Sequence, residues 1–327
     1  MRSRPARSVL RTRAAAARGA AGVALLAPLF AAFAVAACAA VLVAPPAAGQ
    51  PVLRNDEQLD FDRPEAWAMK YFTSVSSMSG FGVPEAPPPG SLAFDVELGW
   101  IPQLDGERAQ VGFAGSKVED VNKAPVFFRP RLVVGLPRGF SLTVGYVPPL
   151  EAFDAEAHLL SLSLDRRLAS PGDWRLGGRL YAQTGEVESD ITCPNEVAGV
   201  DDLAVNPSGC DEPSRDTVGM RYAGVELTAA HAPPGARWQP YAAVAANYLD
   251  LRFQVDALTH GLKDLSLLET HGWTWSAALG LRWQDDSGLT LAAEAYYTPL
   301  EVDRDLDGSS ENDELLNVRM LVGWRTW

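Results

Sequence analysis

Between Ser91 and Trp327, apolar side chains return at every second position, segment after segment. In Ser91 to Pro102, Leu92, Phe94, Val96, Leu98 and Trp100 alternate with Ala93, Asp95, Glu97 and Gly99. In Gly272 to Trp283, Trp273, Trp275, Ala277, Leu279, Leu281 and Trp283 alternate with Thr274, Ser276, Ala278, Gly280 and Arg282. A period of two marks β-strands with unlike faces and does not fit the 3.6-residue repeat of an amphipathic helix. Ten segments carry it, roughly 91–102, 126–136, 140–147, 158–168, 174–186, 219–231, 238–256, 272–283, 288–300 and 315–327.

The connections constrain the topology further. In chain order they are long (103–125), short (137–139), long (148–157), short (169–173), long (187–218), short (232–237), long (257–271), short (284–287) and long (301–314). The short ones carry turn chemistry, in "LPRG", "SPGD", "PPGA" and "DDSG". Strict alternation is expected of an up-and-down barrel with tight turns at one rim and free loops at the other. "GSLAFDVELGWIP", "GFSLTVGYVPP" and "GLTLAAEAYYTP" form a weak repeat with the same orientation: each starts near a short turn and ends in an aromatic and a Pro before a long loop.

Alternation alone does not say which face is buried, because soluble and membrane barrels share the period with opposite polarity. The polar face carries Asp95, Glu97, Arg131, Asp165, Arg167, Arg175, Arg179, Glu226, Arg282 and Glu294 among Gly, Ala, Ser, Thr and Tyr, with few Lys. Small residues among charges of both signs suit a lumen where opposite charges meet across a narrow gap. Trp174, Trp238, Trp283 and Trp324 fall beside short turns, and Trp100 and Trp273 near long loops, as two aromatic girdles would place them. On these features residues 91–327 resemble a small bacterial outer-membrane β-barrel, an architectural likeness without a family motif. It implies an all-β, antiparallel, up-and-down transmembrane barrel of about ten strands, twelve being the alternative. It also implies a place in the bacterial outer membrane, with membrane lipids, lipopolysaccharide and the barrel-assembly machinery as partners. The terminal Trp327 is out of step with Leu316, Val318, Met320, Val322 and Trp324, so either a bulge lies near Thr326 or Trp327 faces inward.

Ahead of the barrel, residues 1–49 hold Arg2, Arg4, Arg7, Arg11, Arg13 and Arg18 followed by an uncharged apolar run, the grammar of an export signal cleaved after Gly49. An uncleaved anchor over residues 21–44 and a lipoprotein linked through Cys38 are the rival readings. Residues 50–90 are expected to be an N-terminal periplasmic arm or a plug, with both mature termini periplasmic. A short helix should begin near Asp62 and carry Trp67, Tyr71, Val75 and Met78 on one face. Without the signal, 22 Lys and Arg face 41 Asp and Glu, a net charge of −19 that makes nucleic acid a poor partner. Mean hydropathy near zero excludes a polytopic helical membrane protein.

Cys193 and Cys210 remain after the signal and are expected to form one disulfide in an exported chain. In the last long loop, "DRDLDGSSENDE" follows calcium-loop spacing. Asp303, Asp305, Asp307, the Ser309 carbonyl and Glu314 would be ligands for Ca2+, with Glu311 acting through water. The loop around the disulfide is acidic as well. Enzyme signatures of this architecture are missing from the sequence: it has no Asp-x-His, and His158, His231, His260 and His271 have no Ser two residues later. No phosphate-binding glycine loop is present. The expected function is a narrow passive channel for small solutes, the alternative a closed-lumen structural or surface-binding barrel. Should the lumen arginines pair with Asp95, Glu97, Glu226 and Glu294, the lumen would be shut. Oligomeric state is not encoded in any of these features.

Overall fold

The alternating segments form ten antiparallel strands: β1 (Leu92–Trp100), β2 (Val126–Gly135), β3 (Phe140–Val147), β4 (Ala155–Ala169), β5 (Trp174–Ser189), β6 (Asp216–His231), β7 (Trp238–Gln254), β8 (Leu267–Gln284), β9 (Leu289–Thr298) and β10 (Leu315–Arg325). Each pairs with its sequence neighbours, and β10 pairs with β1 through contacts such as Val322 with Val96, so the ring closes. This computed structural model describes residues 51–327, and the expected signal segment lies outside the described residues. Among the described residues, the further short strands lie in the loops and outside the ring, so the barrel has ten strands and not twelve. Strands β4, β5, β6 and β8 run past their expected limits at the long-loop end, where Glu156 pairs with Glu188 and Glu269 with Arg252. There the ladder continues in polar residues, so the apolar alternation ceases before the strand does.

Polarity is settled by exposure. Phe94, Leu180, Leu279, Leu316 and Trp324 stand outside the wall, with Leu279 68 % exposed, while Glu97, Arg129, Arg319 and Glu294 are buried inside. A continuous apolar belt around a soluble surface would invite aggregation, whereas hydrocarbon tails satisfy it. Aromatic pairs mark both edges of the belt: Trp238 with Trp283 and Trp174 with His231 near the short turns, and Tyr248 with Trp273 and Trp275 with Tyr297 toward the loops. Trp273 and Trp283 are ten residues apart on β8. At ~3.3 Å per residue and a tilt near ~40°, that spans roughly 25 Å of membrane, the height of an apolar barrel band.

The segment ahead of β1 crosses the lumen. Val52–Leu53 pairs in parallel with Lys263–Asp264, and Glu57–Gln58 with Leu268–Glu269, all at the long-loop end. Helix α1 (Pro64–Val75) follows, started by Pro64 at its first position and buried on nearly every side. The chain then descends through Ser76–Pro84 to Glu85 at the short-turn end, where β1 begins. Residue 51 and residue 327 therefore lie at opposite rims, which corrects the expectation that both mature termini share the short-turn rim. The driving force is burial: Trp67, Tyr71, Val75, Met78 and Phe81 are each at most 3 % exposed. A fully buried side chain of this size contributes roughly 1.5–3 kcal/mol. Trp327 keeps the inward phase of Arg325 without a bulge, and its Nε1 donates to Glu85 at 3.0 Å.

Candidate functional site

Charges that face the lumen are matched almost one for one. Arg131 Nε donates to Glu97 at 3.0 Å, and Arg129 lies 3.5 Å from the same carboxylate. Arg179 joins Asp165 to Glu226, the latter at 3.2 Å, while Thr143 and Ser163 donate to Asp165 and Thr228 to Glu226. Glu294 accepts from Ser79 and Tyr241, both at 2.8 Å. Asp95 pairs with Arg325, and Arg282 with Glu85 of the crossing segment, not with a strand carboxylate. Arg175 sits nearer the rim and reaches the Ala232 carbonyl at 3.4 Å. Arg167 is half-buried there too, without an ion-pair partner among the described residues. The structure thus brings together eight of the ten expected lumen residues and leaves Arg167 and Arg175 at the margin.

Three arginines that sequence reasoning did not single out as lumen residues hold the segment or the rim: Arg129, Arg319 and Arg325. A helix leaves its last carbonyls unsatisfied and its C-terminus partly negative, and α1 has no basic residue in its last turn. The strands supply the cations. Arg319 donates to the Ser77 and Ser74 carbonyls at 2.6 and 2.7 Å, Arg131 to the Ser79 carbonyl at 2.7 Å, and Arg129 to the Ser76 carbonyl. Close approach also needs missing side chains. A β-carbon on Gly177 of β5 would come within 2.3 Å of Pro84 Cδ. Below α1 a space of about 60 Å³ remains, lined by Glu85, Asp95, Arg131, Arg179 and Arg282.

Larger cavities lie at the long-loop end, where two with more polar linings, of about 450 and 400 Å³, are bordered by loop residues such as Asp120 and Asn206 or Glu156 and Arg215, and two others are mainly apolar. One, of about 430 Å³, is enclosed by Met69, Phe72, Val111, Phe253, Val255 and Leu268, with Glu119 among its polar groups. Burial pushes the Glu119 carboxyl up to about 7, although Lys117 sits 2.9 Å away. A second, of about 290 Å³, continues from it, the two sharing Phe72, Val121, Ile191 and Val218 as a common wall. Ile191 and Thr192 immediately precede Cys193, which is disulfide-bonded to Cys210. Lys117 donates to the Thr192 carbonyl at 2.8 Å and Asp216 accepts from the Thr192 amide at 2.6 Å, so this stretch of wall is held by hydrogen bonds beside the cross-link.

The residues with calcium-loop spacing are engaged separately. Asp303 is buried and accepts from the amides of Asp307 and Gly308 at 3.3 and 2.8 Å, and Asp307 accepts from the Ser309 amide at 2.8 Å. Glu311 faces Arg304 at 3.2 Å, Glu314 accepts from Asn312 at 2.9 Å, and Asp305 is exposed. Among the described residues no group of three or more His, Cys, Asp or Glu side chains is placed to hold a metal ion.

No protein-family model and no curated protein matches the sequence. Solved structures similar to it include the attachment invasion locus protein Ail of Yersinia pestis, at 9 % identity over 73 % of this chain and 99 % of that one, with a TM-score of 0.29. The outer membrane protease OmpT of Escherichia coli gives 8 %, 72 %, 94 % and 0.34, and the TodX monoaromatic hydrocarbon channel 10 %, 73 %, 90 % and 0.28. The closed ten-strand ring, its apolar outer belt and its charged interior make this chain a small outer-membrane β-barrel protein.

Proposed function

We propose that this barrel is closed to hydrophilic solutes and that its working site is the apolar vestibule at the long-loop end, which takes up a small, uncharged, apolar molecule. One observation carries the reading. The protein's own residues 64–85 fill the lumen through paired charges, and above them lies the mainly apolar cavity of about 430 Å³, which is the vestibule. A narrow water-filled channel needs hydrated, unpaired lumen groups, whereas here Arg131, Arg179, Arg282 and Arg325 are each committed to carboxylates. Cavities of this size with a few polar groups are typical of small-molecule sites.

The test combines two measurements on the purified full-length protein. In planar bilayers it should give no steady conductance in varied salt. In nanodiscs it should bind the apolar dye N-phenyl-1-naphthylamine, and Leu268→Arg, which puts a charge in the vestibule wall, should weaken that binding at least tenfold. Steady conductance without dye binding would overturn the reading in favour of a passive channel.

A further inference from the structure

Strands β2 and β3 part company before either reaches the loops. Their ladder runs from Gly135 with Ser141 up to Arg131 with Gly145 and stops. Above it, Val126–Pro130 remain paired with β1 but have no partner on the β3 side among the described pairings. The cause is legible in the residues. Pro130 has no N–H to give a ladder, and Pro148 and Pro149 end β3 at Val147, although its other neighbour β4 continues to Ala155. The unpaired stretch of β2 covers about 16 Å at ~3.3 Å per residue, beginning level with Trp100, the partner of Val126.

The 290 Å³ cavity opens through this seam. Its lining includes the inward side chains Val147, Ala157 and Leu159, and also Val126 and Phe128, which point outward and are nearly half exposed on the lipid side. Side chains from both faces of a wall can border one cavity only where the wall is interrupted. At the mouth, the β3–β4 connection turns on Phe153 and Asp154, both at positive φ (55° and 58°), a conformation disfavoured for Phe that leaves its ring 57 % exposed beside Leu150. An unpaired strand edge facing hydrocarbon is costly unless something covers it or it borders a protein cavity.

We infer that the β2–β3 seam is a lateral exit, through which an uncharged apolar molecule taken up in the vestibule passes sideways past Phe128 into the bilayer without traversing the lumen. This rests on the vestibule reading above and names the route. The occupant follows from the lining: the passage offers Phe72, Val75, Val147, Leu159, Val187 and Met220, and within it no charged group except Lys123 at the edge, itself bound to Asp120 and Asp190.

The test separates binding from passage. Ala157→Trp and Val147→Trp fill the exit cavity and touch no residue unique to the vestibule; heat-modifiable migration selects the variant that folds. Dye binding is measured in nanodiscs, and dye uptake in Gram-negative cells whose lipopolysaccharide leaflet slows N-phenyl-1-naphthylamine. The expected result is unchanged dissociation constants, with the several-fold faster uptake conferred by the wild-type protein falling to the level of cells lacking it. Wild-type uptake rates in a folded, filled variant would overturn the lateral route and leave the vestibule standing. A membrane acyl chain that co-purifies with the protein and resists displacement by the dye would also overturn it. Absence of dye binding in the wild type is read separately, as failure of the vestibule itself.

Discussion

Arg179 and Gly80 meet at the centre of the barrel: a β-carbon on residue 80 would come within 2.3 Å of the Arg179 guanidinium, which already joins Asp165 and Glu226. Gly80→Val should therefore push a buried cation off its carboxylates. Breaking such a pair costs about 3–5 kcal/mol. The expected outcome is a lower temperature for the shift between folded and unfolded gel migration, with Gly90→Val, where no atom lies within 4 Å of the new β-carbon but φ is positive, as a milder control.

Removing the crossing segment should convert a closed barrel into an open one. Deletion of residues 64–85 leaves the ten-strand ring intact and uncovers Arg129, Arg131 and Arg319 together. The variant is expected to conduct in planar bilayers, with anions favoured at that level, while the intact protein stays silent. Conductance by both alike would show that the segment does not seal the lumen.

The Glu119 carboxyl makes the vestibule sensitive to acidity. Burial raises it from 4.5 to about 7 in the folded protein, so the folded state binds its proton more tightly than the unfolded state. Its contribution to stability is complete below pH 4.5 and is lost as pH rises toward 7, a difference of about 3 kcal/mol at ~1.4 kcal/mol per pH unit. Neutralisation also removes a charge from an apolar cavity. Dye affinity should rise as pH falls through 7, and Glu119→Gln should abolish that dependence.

Reducing the Cys193–Cys210 disulfide, whose partners are 17 residues apart, should loosen the vestibule wall and spare the ring. Loop-closure entropy assigns such a bond about 3 kcal/mol. Cys193→Ser with Cys210→Ser should keep heat-modifiable migration, lower dye affinity and speed proteolysis within residues 190–215.

Leu279 stands outward near the middle of the apolar belt. Leu279→Arg should destabilise the barrel in lipid by about 2–4 kcal/mol, measured by urea unfolding in vesicles. A neutral effect would mean that this face does not touch hydrocarbon.

The ten strands could be read from the sequence because each wall residue answers to one of two environments, lipid or lumen, and the period of two records the choice. The expected lumen set was legible for the same reason, Glu97 and Arg179 included. Arg129, Arg319 and Arg325 carry the same phase, but their work lies in holding the carbonyls of Ser74, Ser76 and Ser77 and the rim carboxylates Asp95 and Glu85. That work depends on where the irregular stretch from Ser76 to Glu85 runs. It has no repeat to betray its path, and Pro84 with the following Pro87–Pro89 reads equally as a linker outside the barrel. The seam did leave a local trace, in Pro130 on one strand and Pro148–Pro149 on the next. The Asp303 loop has the spacing of a cation loop, and its Asp303 carboxylate accepts from its own turn amides.

With residue 53 at the loop rim, residue 92 at the turn rim and β1 zipped to β10, the polypeptide threads a ring that its own first and last strands fasten. The thread is expected to be in place before the final seam between β1 and β10 is drawn shut, because the β2–β3 gap interrupts only the upper part of the wall and the rest of the ring is paired around Trp67.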